Sequence, residues 1–80
     1  MEKNKISEAN FIKRSLSLQG HRTSLSLEQG FWTILEVAAR SQEIPLIQLI
    51  KKVDATRTGS LSSALRLYAL DFAMKRKTLK

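Results

Sequence analysis

Two rhythms of apolar and polar positions divide this chain. Ser15-Leu16-Ser17-Leu18 alternates with period two, and so does Arg22-Thr23-Ser24-Leu25-Ser26-Leu27. That is the pattern of a strand, because successive side chains of an extended chain point to opposite faces. Gln19-Gly20-His21 separates the copies, and Gly20 supplies a break at which one chain can fold back on itself as a hairpin. The alternative is that Arg22 to Leu27 pairs with the same segment of a second copy. Some partner is required, since a lone strand cannot stand by itself and a two-stranded ribbon is marginal without a helical layer over it.

After Glu28 the period lengthens. Phe31, Ile34, Leu35 and Ala38 fall at helical spacing, with Trp32 and Ala39 widening the stripe. A first helix is predicted over Gln29 to Ser41, with Glu28 and Gln29 at the end where partial positive charge favours an acidic group. Pro45 marks the first turn of a second helix, about Pro45 to Arg57. Leu46, Ile47, Leu49, Ile50 and Val53 make it apolar around more than half its circumference, so it should be buried from two sides. Thr58-Gly59-Ser60 is a boundary, with Gly past one helix end and Ser capping the next helix. A third helix is expected over about Leu61 to Arg76, with Leu61, Leu65, Tyr68 and Phe72 in one stripe and Leu67, Leu70 and Met74 on an adjoining face. Residues 1–13 read as a flexible polar arm, residues 14–76 as one domain and residues 77–80 as a basic tail.

Composition narrows what such a domain can do. Eighty residues hold one core, and a chain this small gains little from its own core, so association with a second copy would help it. The absence of cysteine removes disulfides, cysteine-based zinc sites and thiol nucleophiles. His21 is the sole histidine, no carboxylate pair stands at ligand spacing, and no catalytic triad order, phosphate-cradling glycine loop or His-Glu-x-x-His string occurs. Neither an enzyme nor a metal or cofactor site is therefore expected. Nor is a membrane span, since the uncharged runs are short. With no secretory or transit pattern among the first residues, the cytoplasm is the expected compartment.

Charge points to a polyanion. Fourteen Lys and Arg against seven Asp and Glu leave +7, with a pI near 10.3. The excess is +2 over residues 1–28, +1 over 29–59 and +4 over 60–80, so most of it lies away from the strand. On the strand, Thr23, Leu25 and Leu27 share one face and Arg22, Ser24 and Ser26 the other. Two such strands paired across a two-fold axis would form a ribbon that fits the major groove of B-form DNA. Arg22 can donate two parallel hydrogen bonds to guanine O6 and N7, and a serine hydroxyl can address either a donor or an acceptor edge.

The segment Arg22 to Glu28 followed by Phe31 to Ala39 and Ile44 to Val53 resembles the ribbon-helix-helix DNA-binding proteins, of the Arc and MetJ repressor type. The string Gly20-His21-Arg22-Thr23-Ser24-Leu25-Ser26-Leu27-Glu28, with Phe31-Trp32 and Leu61-Ser62-Ser63-Ala64-Leu65-Arg66, is similar to a bacterial subfamily of short members. The resemblance implies a mainly α protein with a short β-ribbon, an intertwined homodimer, and here a third helix as added core or dimer surface. It implies double-stranded DNA as partner and transcription regulation, by repression, as function. Base contacts then fall to Arg22, Ser24 and Ser26, and phosphate contacts to Lys13, Arg14, His21 and the backbone N–H groups of Leu46 and Ile47 at a helix start. The dimer core would be Leu25, Leu27, Leu46, Leu49, Ile50 and Val53. Two features depart from the family pattern: the connection before Pro45 lacks the usual Gly, and Pro45 removes one phosphate donor. No small-molecule effector is implied. The competing reading is a protein-interaction module such as an antitoxin, although only Ala73 to Lys80 extends past the third-helix stripe as a wrapping segment. Peripheral membrane binding by the basic third helix is a weaker option, because its apolar stripe serves a core better.

Overall fold

The computed structural model describes residues 11–78. Two strands, β1 (Phe11–Leu18) and β2 (His21–Glu28), are followed by three helices, α1 (Gln29–Ser41), α2 (Leu46–Thr56) and α3 (Leu61–Thr78). The strands pair antiparallel, from Leu18 opposite His21 to Phe11 opposite Glu28. Two residues, Gln19 and Gly20, make the turn, with φ of 51° and 82°. Positive φ at both central positions is the type I′ geometry, whose twist matches that of the flanking strands. The required partner of Arg22 to Leu27 is thus the same chain's β1, from Ile12 to Ser17, and not a second copy. Phe11, Ile12 and Lys13, expected in a loose arm, are strand.

Glu28 leads directly into α1, which closes on Glu43 at φ 60°. The Glu43 N–H donates to the Arg40 carbonyl at 3.0 Å and the Ile44 N–H to the Ala39 carbonyl at 3.1 Å. These are the two crossed bonds of a left-handed helix stop, usually built on Gly. Pro45 is the N-cap of α2. The end of α2 is held differently from the expected glycine stop. Arg57 donates from Nε to Asp54 at 2.7 Å and from its terminal nitrogen to the Gly59 carbonyl at 2.6 Å. Ser60 caps α3 as expected, its hydroxyl accepting from the Ser63 N–H at 3.2 Å. The helix then runs past the expected fraying point, since backbone through Thr78 is helical.

The hairpin and the three helices share one core. Trp32, Leu27, Leu35, Leu49, Ile50 and Leu65 are fully buried, joined by Leu18, Leu25, Ala38, Ala39, Val53 and Ala69. Burying a large apolar side chain is worth roughly 1.5–3 kcal/mol, so these residues anchor every element to the others. The broad apolar sector of α2 is covered from two sides as predicted, but both covers, α1 and α3, belong to this chain. Leu25, Leu27, Leu49, Ile50 and Val53, expected to need a second copy, are already buried within one, and Leu46 is partly buried.

Candidate nucleic-acid interface

The hairpin register decides which side chains face away from the helices. Alternation sends Leu16, Leu18, Leu25 and Leu27 inward onto the core. The other face presents Lys13, Ser15 and Ser17 from β1 beside Arg22, Ser24 and Ser26 from β2. Lys13 stands opposite Ser26, Ser15 opposite Ser24, and Ser17 opposite Arg22. All are exposed except Ser26, which is half-buried. Phe11 opposite Glu28 closes the face at the end away from the turn, with Phe11 54% exposed. The sequence had singled out Arg22, Ser24 and Ser26. That Ser15 and Ser17 join the same face is shown only by the register.

Ion pairing separates structural cations from available ones. Arg14 projects inward, its guanidinium 4.3 Å from the centroid of Trp32 and hydrogen-bonded to Glu36 at 3.0 Å. It is thereby tied to the core layer by stacking and an ion pair. Arg66 donates to Glu28 at 3.0 Å and lies over the Phe31 ring at 5.8 Å. Its guanidinium and, before it, a hydrogen bond from the backbone N–H of Glu28 hold the Glu28 carboxyl below the usual carboxylate range. Arg57 and Lys75 are paired with Asp54 and Asp71. Among the described residues, neither Lys13 nor Arg22 makes a side-chain hydrogen bond or ion pair. Both cations of the outward face are therefore uncommitted, as are Arg40 and Lys51 on the helices, and most of the net charge lies elsewhere.

Trp32 fixes the face in place. Fully buried, it donates its indole Nε1–H to the Ile12 carbonyl at 2.9 Å, so β1 cannot slide on α1 without breaking that bond. The aromatic pair is thereby spent on structure, as its helical spacing suggested. His21 is exposed beside the turn, in an open groove of about 600 Å³ between β2, the end of α2 and the start of α3. Leu46 and Ile47 begin α2, just after its N-cap Pro45.

Chemically, the face combines small hydroxyls, which let a backbone come close to a surface, with two long donors at its corners. Paired strands lie about 4.8 Å apart, and the major groove of B-form DNA is about 12 Å wide and admits such a ribbon. Among the described residues, no cluster of three or more His, Cys, Asp or Glu is placed to hold a metal ion, and no helix is long and apolar enough to cross a membrane. In comparisons with known proteins, a family model described as a ribbon-helix-helix domain matches residues 11–73. No curated protein and no solved structure matches the chain.

Proposed function

Because the chain belongs to the ribbon-helix-helix family, whose members are generally DNA-binding transcription regulators, we propose that it is a non-enzymatic, sequence-specific DNA-binding repressor of the bacterial cytoplasm. The outward face of the hairpin enters the major groove, where Arg22, Ser24 and Ser26 meet base edges. His21 and the N–H groups of Leu46 and Ile47 at the start of α2 remain candidates for phosphate.

One observation carries the reading. Among the described residues, Arg14, Arg57 and Arg66 are paired within the chain, while Lys13 and Arg22 stand unpaired on a face whose middle is made of serines. A surface meant only for solubility has no need to be free of bulk and of acidic groups along its middle.

Family members usually bind DNA as dimers, and a homodimer is part of the proposal. With the ribbon completed inside the chain, the contact between copies falls to α3, where Leu67, Leu70 and Met74 are 66%, 51% and 58% exposed and lie on one face of the helix. The same stripe favours the second reading, a module that holds a different protein as an antitoxin does. A stoichiometric foreign partner in the purified complex would favour that alternative.

The test is binding-site selection from random duplexes with wild-type protein and Arg22→Ala, repeated at two salt concentrations. A selected motif that loses one base preference in the variant supports the proposal, with a cost of about 1–3 kcal/mol. Binding that is strongly salt-dependent and has no motif leaves only phosphate attraction and sinks it.

A further inference from the structure

The outward face of the hairpin has a symmetry that solvation does not require. Lys13-Arg14-Ser15-Leu16-Ser17-Leu18 and Arg22-Thr23-Ser24-Leu25-Ser26-Leu27 are two copies of one pattern, offset by nine positions. The register pairs Ser15 with Ser24, so a two-fold axis normal to the ribbon through that pair carries each residue of β1 onto the residue nine further along. It exchanges Ser15 with Ser24, Ser17 with Ser26, and Lys13 with Arg22. An even offset would have sent the exchanged residues to opposite faces, because side chains alternate. Repeat and turn together therefore give one chain the arrangement that two identical strands produce when they pair across a dyad.

The inner face shows what folding alone asks for. There the axis exchanges Leu16 with Leu25 and Leu18 with Leu27, but it also exchanges Arg14 with Thr23, and Arg14 is used against Trp32 and Glu36. Symmetry is broken where the hairpin meets the helices. On the outside it is kept in chemical type at all three pairs: cation with cation and serine with serine twice.

DNA is itself two-fold symmetric in its backbone. We propose that the hairpin of a single chain is a complete reading unit for a short quasi-palindromic element, with Arg22 and Lys13 addressing guanines on opposite strands and the four serines lining the bases between. Lys13 thereby moves from a phosphate contact to a base contact, since Lys as well as Arg can donate to guanine O6 and N7. The two cations are four residues apart along the ribbon and one strand apart across it. That is about 14 Å between backbones, at roughly 3.3 Å per residue and 4.8 Å per strand, or about four base-pair steps of 3.4 Å. A ribbon extended to four strands by a second copy would be about 14 Å across its outer strands before side chains are added, wider than the roughly 12 Å groove. The single hairpin is the unit that fits.

This inference rests on the DNA-binding reading, and one experiment separates the two. Sequences are selected from random duplexes by wild-type protein, Lys13→Ala, Arg22→Ala and Lys13→Arg, with thermal unfolding of each variant as the check that the exposed substitution leaves the fold intact. The wild type should select elements carrying guanines on opposite strands about four steps apart. Each alanine variant should lose the guanine at one end of the element only, with about tenfold weaker binding to the wild-type sequence. Lys13→Arg should keep both guanines. If Lys13→Ala weakens every sequence equally, leaves the motif intact and lowers the salt slope by about 0.9, β1 touches phosphate and the inference fails while the DNA-binding reading stands. If the wild-type protein selects nothing, both fail.

Discussion

The indole Nε1–H of Trp32 donates to the carbonyl of Ile12 at 2.9 Å, joining the first strand to the first helix across a contact that buries the ring completely. Arg14 closes the other side of the ring at 4.3 Å. This arrangement holds the hairpin against the helices, and the orientation of the outward face depends on it.

Trp32→Phe is expected to destabilise the fold by about 1–3 kcal/mol, combining the lost hydrogen bond, a small cavity and a weaker stacking surface for Arg14. Chemical denaturation reads the loss. An unchanged midpoint would mean that β1 is held by its pairing with β2 alone.

The turn is tested at its two central residues. No atom lies within 4 Å of where a Cβ would sit on Gly20, so Gly20→Ala carries only the cost of left-handed backbone, about 1–2 kcal/mol. Gln19→Asn should be near neutral, because Asn tolerates that conformation better but gives up the hydrogen bond that Gln19 Nε2 donates to Asp54 at 3.0 Å. Thermal unfolding should show a lowered midpoint for Gly20→Ala and little change for Gln19→Asn. Equal shifts would argue against a two-residue turn.

Glu43 occupies the left-handed position that stops α1, a place where Gly is preferred. Glu43→Gly should raise stability by about 1 kcal/mol, read as a higher denaturation midpoint with an unchanged slope. A loss of stability would show that the Glu43 side chain contributes more than its backbone costs.

Glu28 gives stability a defined dependence on pH. Its folded pKa lies below the ordinary glutamate value of 4.5, first through its own backbone N–H and then through Arg66. A depressed carboxyl contributes fully above the unfolded pKa, and the contribution is lost as pH falls through the folded value. Unfolding midpoints of the wild type should therefore drop on acidification below about 5 more steeply than those of Glu28→Gln. Parallel curves would remove Glu28 from the account.

Leu70→Glu tests the α3 contact. The side chain is 51% exposed, so the single chain should keep its fold while any dimer dissociates, visible in sedimentation at micromolar concentration. A dimer that survives the substitution would have to use another surface, such as the open edge of β2.

Much of the fold was legible in the order of residues. The change of period at Glu28 marks where strand gives way to helix, because side-chain direction repeats every two residues in one and every 3.6 in the other. Pro45 and Ser60 fall one residue from the starts of their helices because their chemistry suits only those positions. Helix ends were harder. The Arg57 clamp and the Glu43 stop depend on side chains and backbone angles that composition does not reveal.

The candidate site divides along the same line. Alternation alone separates Arg22, Ser24 and Ser26 from Thr23, Leu25 and Leu27, since that is a local property of an extended chain. Whether β1 or a second copy pairs with that strand, whether Arg14 faces DNA or Trp32, and whether Ser15 and Ser17 join the outward face all turn on register and on which helix lies behind the ribbon. Those are contacts between residues far apart in the chain, and no local pattern encodes them. The sequence by itself determined the elements and their apolar faces; tertiary packing decided which cations were consumed inside and that Lys13 and Arg22 share the outward face of the hairpin.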